Sequence, residues 1–250
     1  MPYLSRIRIN PLRAASRALL ASPRAMHAVV QGGLPAPPDQ HRTLWRLDAD
    51  NPHRPLLFVL TTDKPDWTHL IEQAGWPDAD GEHYAIRDYT PLLRQLAPGR
   101  GFAFRLTANP VQNTNRPDKP TQRQQERLDA GDRRSFRLGH RTATAQLNWF
   151  LTRTARWGFD IPAAPHLDTT RDTDGQPPRE VRITTRQRRS FRKGDLTAKE
   201  AHVVMHAVTF EGHLRVTDPN LLTERLLAGI GPTKAYGCGL LTLAPLPERA

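Results

Sequence analysis

Residues 3–33 read YLSRIRINPLRAASRALLASPRAMHAVVQGG, and the order of patterns in this stretch decides the fold. Tyr3 to Ile9 alternates, with Ile7 and Ile9 turned inward, and predicts a strand. Asn10-Pro11 is a helix-start pair, a capping residue followed by the residue that tolerates the first helical position. Leu12, Ala15, Leu19 and Leu20 supply that helix with an apolar face. Ser22-Pro23 repeats the start signal. It opens a second short helix that runs to about Gln31 and stops at Gly32-Gly33. Met26, Val29 and Val30 form its stripe, and His27 lies beside the stripe rather than within it.

Working outward, Thr43 to Leu47 and Leu56 to Thr62 read as strands, Asp66 to Ala74 as a helix and His83 to Arg87 as a closing strand. This β-α-β-β-α-β order is that of a ferredoxin-like unit. Pro91 to Gly99 reads as a linker. A second cycle follows, with strand 102–106, an amphipathic helix from Thr142 to Trp157, strands 179–185 and 203–216, a helix capped by Asp218-Pro219 and a last strand 239–244. Residues 112 to 139 are polar and without period, so they read as a loop or mobile segment. The expected fold is α+β with two tandem ferredoxin-like (RRM-like) domains: residues 1–90, a linker at 91–99, and residues 100–250.

The charge points to a polyanionic partner. Lys and Arg total 36 against 25 acidic residues, a formal net charge of +11. Most of the excess is Arg, whose planar fork suits phosphate oxygens. Nucleic acid therefore ranks ahead of a membrane surface. A GC-rich genome would also raise Arg, Ala and Pro. With a single cysteine, Cys238, the chain has neither an internal disulfide nor a cysteine-based zinc site. No stretch has the length of a membrane span, and no N-terminal apolar run marks a signal peptide, so a cytoplasmic protein is expected.

Three features carry candidate chemistry. Arg182, Arg186, Arg188, Arg189, Arg192 and Lys193 fall within a dozen residues, with turn character from Thr185 to Gly194. They predict a basic hairpin suited to A-form RNA, whose bases are hidden in a deep groove; a solvated loop is the plain alternative. The segment Ala228-Gly229-Ile230-Gly231-Pro232-Thr233-Lys234-Ala235-Tyr236-Gly237-Cys238-Gly239 runs helix–loop–strand, the reverse of a Walker loop. Its amides around Gly231 and Gly237 can approach phosphates beside Lys234, or the glycines can simply serve a tight connection. Among ten histidines none forms a metal-binding spacing. His202 and His206 read as structural, and His41, His53, His69, His83, His140, His166 and His213 belong to no constellation. No metal and no cofactor are expected. The residues alone give a basic two-module protein and leave its reaction open.

Several blocks together resemble the CasE family, the CRISPR repeat endoribonucleases of type I-E Cascade. They are Tyr3-Leu4-Ser5-Arg6; Ser22-Pro23-Arg24-Ala25-Met26-His27; Leu44-Trp45-Arg46-Leu47; Phe104-Arg105-Leu106-Thr107-Ala108-Asn109-Pro110; Phe210-Glu211-Gly212; and the glycine loop ending Gly237-Cys238-Gly239-Leu240-Leu241. They stand in the family's order across nearly the whole chain. The resemblance implies two ferredoxin-like domains and a CRISPR repeat RNA stem-loop as substrate. It implies metal-independent cleavage at the 3′ base of the stem by 2′-OH attack, with the product kept bound among other Cascade subunits. His27 matches the family's catalytic histidine, and Lys234 the basic residue of its glycine loop. Family members commonly have Tyr three residues before that histidine, where this chain has Arg24. Arg24 is too basic to act as an acid but can stabilise phosphorane charge. The departure motivates an alternative, a weakly active or inactive hairpin-binding subunit of the same complex. An unrelated two-domain enzyme that binds a small anion at the glycine loop is a third reading.

Overall fold

The computed structural model describes residues 1–35, 43–77, 79–131, 135–164, 178–193 and 201–246. His41 and His166 lie outside them, as do the side chains of Arg192, Lys193 and His202. The N-terminal module comprises β1 (Tyr3–Arg8), α1 (Ala14–Ala21), α2 (Pro23–Gly32), β2 (Leu44–Asp48), β3 (Leu56–Thr61), α3 (Thr68–Ala74) and β4 (Tyr84–Asp88). Its sheet runs in the order β2-β3-β1-β4, all neighbours antiparallel, which is the ferredoxin-like arrangement. Ile7, Ile9, Trp45, Leu57 and Val59 on one sheet face meet Leu19, Met26, Val30, Trp67 and Leu70 in one core. Ser5 is buried in that face because its hydroxyl accepts the Trp67 indole N–H at 2.9 Å.

A helical turn, α4 (Thr90–Leu93), opens the segment read as a linker, and Tyr89 and Leu96 beside it are buried in the second module's core. The C-terminal module then runs through β5 (Gly101–Ala108), β6 (Val111–Thr114), α5 (Gln122–Asp129), β7 (Phe136–Gly139), α6 (Ala143–Leu151), β8 (Phe159–Asp160), β9 (Val181–Lys193), β10 (Ala201–Val216), α7 (Pro219–Ala228) and β11 (Leu241–Pro245). Its sheet order is β11-β5-β10, with β9 along most of β10 and β8 along the remainder. With β9 as the second strand of the cycle, this is the same order as in the first module. Phe104, Phe150 and Phe210 stack across the sheet and α6, and Leu222 and Leu226 of α7 join them. No helix among the described residues is long and apolar enough to cross a membrane.

Three expectations need correction. The first helix begins at Ala14, not at Pro11, because Asn10 Oδ1 accepts the Leu12 N–H at 3.0 Å and closes a local turn instead. The second helix stops at Gly32-Gly33 as expected: Gly33 ends α2 with φ −89°, and a Cβ there would lie 2.4 Å from the Trp67 ring. Part of the polar segment 112–139 is ordered as the β6–β7 ribbon and as α5, which carries a capping box between Thr121 and Gln124. Polarity hid a helix that rests on caps more than on burial. The helix expected through Trp157 ends at Leu151, after which a separate 3-10 turn spans Ala155–Trp157.

Candidate functional site

His27 is placed by α2. Ser22 caps this helix, its Oγ accepting the Ala25 N–H at 3.2 Å, and Pro23 takes the first helical position. Such a cap is worth about 1 kcal/mol. Met26 and Val30 are buried, each contributing roughly 1.5–3 kcal/mol of burial. At the far end the His69 ring bonds the Val29 carbonyl at 3.0 Å, and Gly33 lies against Trp67. His27 therefore projects from a helix fixed at both ends. Its Nδ1 is covered and unpartnered, which leaves Nε2 as the nitrogen that can meet a substrate. Burial pushes its pKa below the usual 6.5, so the ring is neutral at pH 7. Arg24, one turn earlier, is exposed.

The tertiary structure brings this helix against the glycine loop. A 3-10 turn at Lys234–Tyr236 packs on α2, the helix that bears His27, and on β2, where the two modules meet. The aliphatic stem of Lys234 lies over Gly229 and Gly239, where a Cβ would come within 3.2 Å of it. Gly237 has φ +82° and sits against the Trp45 ring, which a Cβ would approach to 2.7 Å. Gly231 also has positive φ, at the edge of Trp149. Gly237 therefore has a packing reason to be glycine as well as a conformational one, whereas at Gly231 the left-handed backbone alone asks for it.

The loop is held by residues whose role the sequence did not disclose. Asn109, buried at the end of β5, donates from Nδ2 to Thr233 Oγ1 at 2.8 Å, and its Oδ1 accepts the His206 N–H at 3.2 Å. Thr233 has φ +70°, the one non-glycine residue with positive φ among the described residues. That conformation costs a side-chain-bearing residue on the order of 1–3 kcal/mol. The Gly239 N–H donates to the Thr107 carbonyl at 2.7 Å, and the Ile230 N–H to the Gly239 carbonyl at 2.9 Å.

Arg46 ties the two sheets together. Only 2% exposed, it forms a bidentate pair with Asp48 (2.7 and 2.9 Å) and donates from Nη1 to the carbonyls of Arg105 and Leu240. Arg105 extends the network to Asp50 at 2.5 Å and to Glu211 at 2.8 Å.

The cations of 182–193 lie on a strand, not in a turn. β9 continues to Lys193 and pairs with β10 as far as Ala201. A bulge beside Thr185 puts Arg182, opposite Glu211, on the face away from Arg186 and Arg188, and ordinary alternation puts Arg189 there too. Arg186 opposes Val208 and Arg188 opposes His206, on the side of the aromatic core, whereas Arg189 opposes Met205 on the other side. Arg186 is partly a structural brace, donating to Gln146 Oε1 at 2.8 Å and to the Arg141 carbonyl at 2.5 Å. Arg182 pairs with Glu211 at 3.3 Å, an acid that the segment itself lacks. Arg189 bonds Gln187. Arg188 is exposed, and its side chain makes no hydrogen bond or ion pair among the described residues. His206, read as structural, lies among cations: burial and then Arg188, Arg141 and Arg186 lower its pKa. The nearby His140 is lowered by burial and by Arg153.

Two spaces flank these elements. A polar cleft of about 140 Å³ lies between the glycine loop and β9, lined by Trp45, Arg105, Thr185, Gln187, Arg189 and Tyr236. A larger cavity of about 640 Å³ between the modules is walled mainly by apolar groups such as Leu4, Phe58, Phe104, Val181 and Leu243, and does not include His27 or Lys234. Among the described residues no three His, Cys, Asp or Glu side chains cluster as a metal-binding group.

Two ferredoxin-like modules, a long cationic ribbon and a histidine-bearing helix packed on a lysine-bearing turn define a nucleic-acid-directed protein of the RRM-like class. The family described as CRISPR associated protein matches residues 2–245. The CRISPR-associated endoribonuclease Cse3 of Thermus thermophilus is 30% identical over 249 residues, 97% of this chain and all of that protein. The Cascade subunit CasE of Escherichia coli is 27% identical over 210 residues, 82% of this chain and 90% of its own length. A solved structure of Thermus thermophilus Cse3 bound to an RNA representing a pre-cleavage complex superposes with a TM-score of 0.69 at 28% identity, covering 98% of this chain and 99% of that one. The chain belongs to the CasE family of type I-E Cascade.

Proposed function

We propose that this chain is an endoribonuclease that cuts a CRISPR precursor transcript at the 3′ base of its repeat stem-loop, and that it keeps the product within Cascade. The observation that carries this reading is the packing of the Lys234 turn on the helix that bears His27, in a chain similar from end to end to an endoribonuclease. The 2′-OH attacks the adjacent phosphorus while His27, neutral at working pH, takes its proton. The P–O5′ bond breaks, leaving a 2′,3′-cyclic phosphate, and the 5′-oxygen takes up a proton. The nucleophile belongs to the substrate, so no metal-bound water is required. Lys234 neutralises charge on the phosphorane, with Arg24 able to assist.

Arg188, Arg189, Arg192 and Lys193 of the long ribbon contact backbone phosphates of the stem, with Arg182 and Arg186 at its base. The amides around Gly231 and Gly237 approach the RNA beside Lys234. The chain divides at 1–90, 91–99 and 100–250, and it works in the cytoplasm, where the transcript and the other Cascade subunits are.

The test is a denaturing gel of the host's repeat hairpin with the protein in EDTA, beside His27→Ala and a substrate with a 2′-deoxy nucleotide just upstream of the cut. One cut at the 3′ base, absent from both controls, with a cyclic phosphate end, is the expected result. Cutting of the deoxy substrate would refute the mechanism. Arg24, in place of the family's usual Tyr, favours a second reading, a hairpin-binding subunit without turnover. Tight, salt-sensitive binding with no cutting by the unaltered protein would establish that reading instead.

A further inference from the structure

The Lys234 turn depends on a conformation that its sequence disfavours. Thr233 is β-branched and left-handed (φ +70°, ψ +30°), and it starts the turn through the Tyr236 N–H, which donates to its carbonyl at 3.0 Å. The backbone direction at Thr233 determines where Lys234 leaves the chain, and hence whether its stem lies over Gly229 and Gly239 beside α2. One buried side chain holds Thr233 from outside the loop. Asn109 is 5% exposed and uses both ends of its amide, accepting from the His206 backbone and donating to the Thr233 hydroxyl. It stands where β5 ends at Pro110, so its position is set by the sheet and not by the loop.

We infer that Asn109 is a positioning residue for the cleavage junction: by holding Thr233 left-handed, it keeps Lys234 against the helix that carries His27. This rests on the nuclease reading for its effect on rate, but not for its effect on Lys234 itself. Without the Asn109 amide, Thr233 relaxes to negative φ and the Lys234 turn re-forms elsewhere. A displacement of about 1 Å at a reacting centre can slow a reaction on the order of 10²-fold. Glycine occupies the left-handed region without help. Thr233→Gly should therefore restore the turn even when Asn109 is gone.

The experiment uses the full-length protein as Asn109→Ala, Thr233→Gly and the double variant, with two readouts. The first is the acetylation rate of the Lys234 amine without RNA, followed by mass spectrometry. It should rise several-fold in Asn109→Ala and return toward the starting value in the double variant. The second is the single-turnover cleavage rate at saturating protein. It should fall roughly 10–100-fold in Asn109→Ala and recover in the double variant, while affinity for the 2′-deoxy hairpin changes by no more than about threefold. The double variant still leaves the His206 N–H without its acceptor, so its melting temperature should stay low. Recovery of rate without recovery of stability separates positioning from general destabilisation. Unchanged Lys234 labelling in Asn109→Ala, or a slowed double variant, overturns the inference. Failure of the unaltered protein to cut removes the nuclease reading, and the labelling readout still decides the role of Asn109.

Discussion

Both modules use one strand order, yet they differ in scale and in what they present. The four N-terminal strands have five or six residues each, whereas β9 and β10 have thirteen and sixteen. At roughly 3.3 Å per residue, β9 and β10 extend well past β5, which has eight residues. The short module encloses a compact core around Trp45 and Trp67 and fixes one histidine on a doubly anchored helix. The long module supplies reach, carrying cations beyond the core and a glycine loop back to that histidine. Holding a reacting group and grasping a long polyanion place opposite demands on a fold, rigidity in one case and extent in the other. The duplicated fold meets them separately.

Several measurements can break or sharpen this division. The largest effect belongs to His27→Ala, which should slow cleavage by about 10²–10⁴-fold while hairpin affinity stays within a few-fold, read by single-turnover gels and by titration. An equal loss of binding would mean that the short module also grips the stem. Arg46→Ala should follow, since it removes the bidentate partner of Asp48, which keeps only the longer Arg105 contact at 3.4 Å, and both cross-module bonds to the Arg105 and Leu240 carbonyls; full loss of one partner from a buried ion pair costs about 3–5 kcal/mol, an upper bound here. Calorimetry should show a lower transition that splits in two as the modules uncouple. A single sharp transition would show that the apolar contacts of Leu4, Phe58 and Leu60 suffice.

Arg188→Gln should weaken hairpin binding and reduce the slope of log affinity against log salt by about 1, with the rate at saturation unchanged. An unaltered slope would take Arg188 off the phosphate path. The smallest effect is that of pH on the RNA-free protein. His27, His140 and His206 all have pKa values lowered below 6.5 by burial, those of His140 and His206 also by neighbouring arginines. The unfolded chain thus takes up their protons first. Their contribution to stability is present above pH 6.5 and is lost as pH falls through their folded values. Thermal melts between pH 7.5 and 5 should show this decline. The cleavage rate should fall on the acid side too, with an inflection below 6.5, because protonated His27 cannot accept the 2′-OH proton.

Much of the fold was legible because period and punctuation agreed. Ile7 and Ile9 alternate, Ser22-Pro23 and Asp218-Pro219 cap the helices they precede, and the element order matches the sheet order found in each module. Asn10-Pro11 misled because asparagine can close its own turn as readily as cap a helix. The 112–139 segment misled because α5 is exposed, and an exposed helix carries little apolar period. At the site, His27 and Lys234 stood out in the sequence, but nothing local said that their helix and turn pack together. More than two hundred residues separate them, and only the packing of α2 on the loop joins them.

The amino-acid sequence by itself determined the two cycles, the excess of Arg and the helix that bears His27, because capping, alternation and charge are properties of neighbouring residues. Tertiary structure decided the rest. The extra residue beside Thr185 in β9 moves Arg182 to the face away from Arg186 and Arg188, and a count by twos along β9 does not foresee it because only the pairing with β10 shows where the bulge falls. Asn109 acquires its role from a threonine far along the chain, and His206 its cationic surroundings from β9 and from Arg141. Each of these depends on a contact between distant segments, and such contacts exist only once the chain has folded.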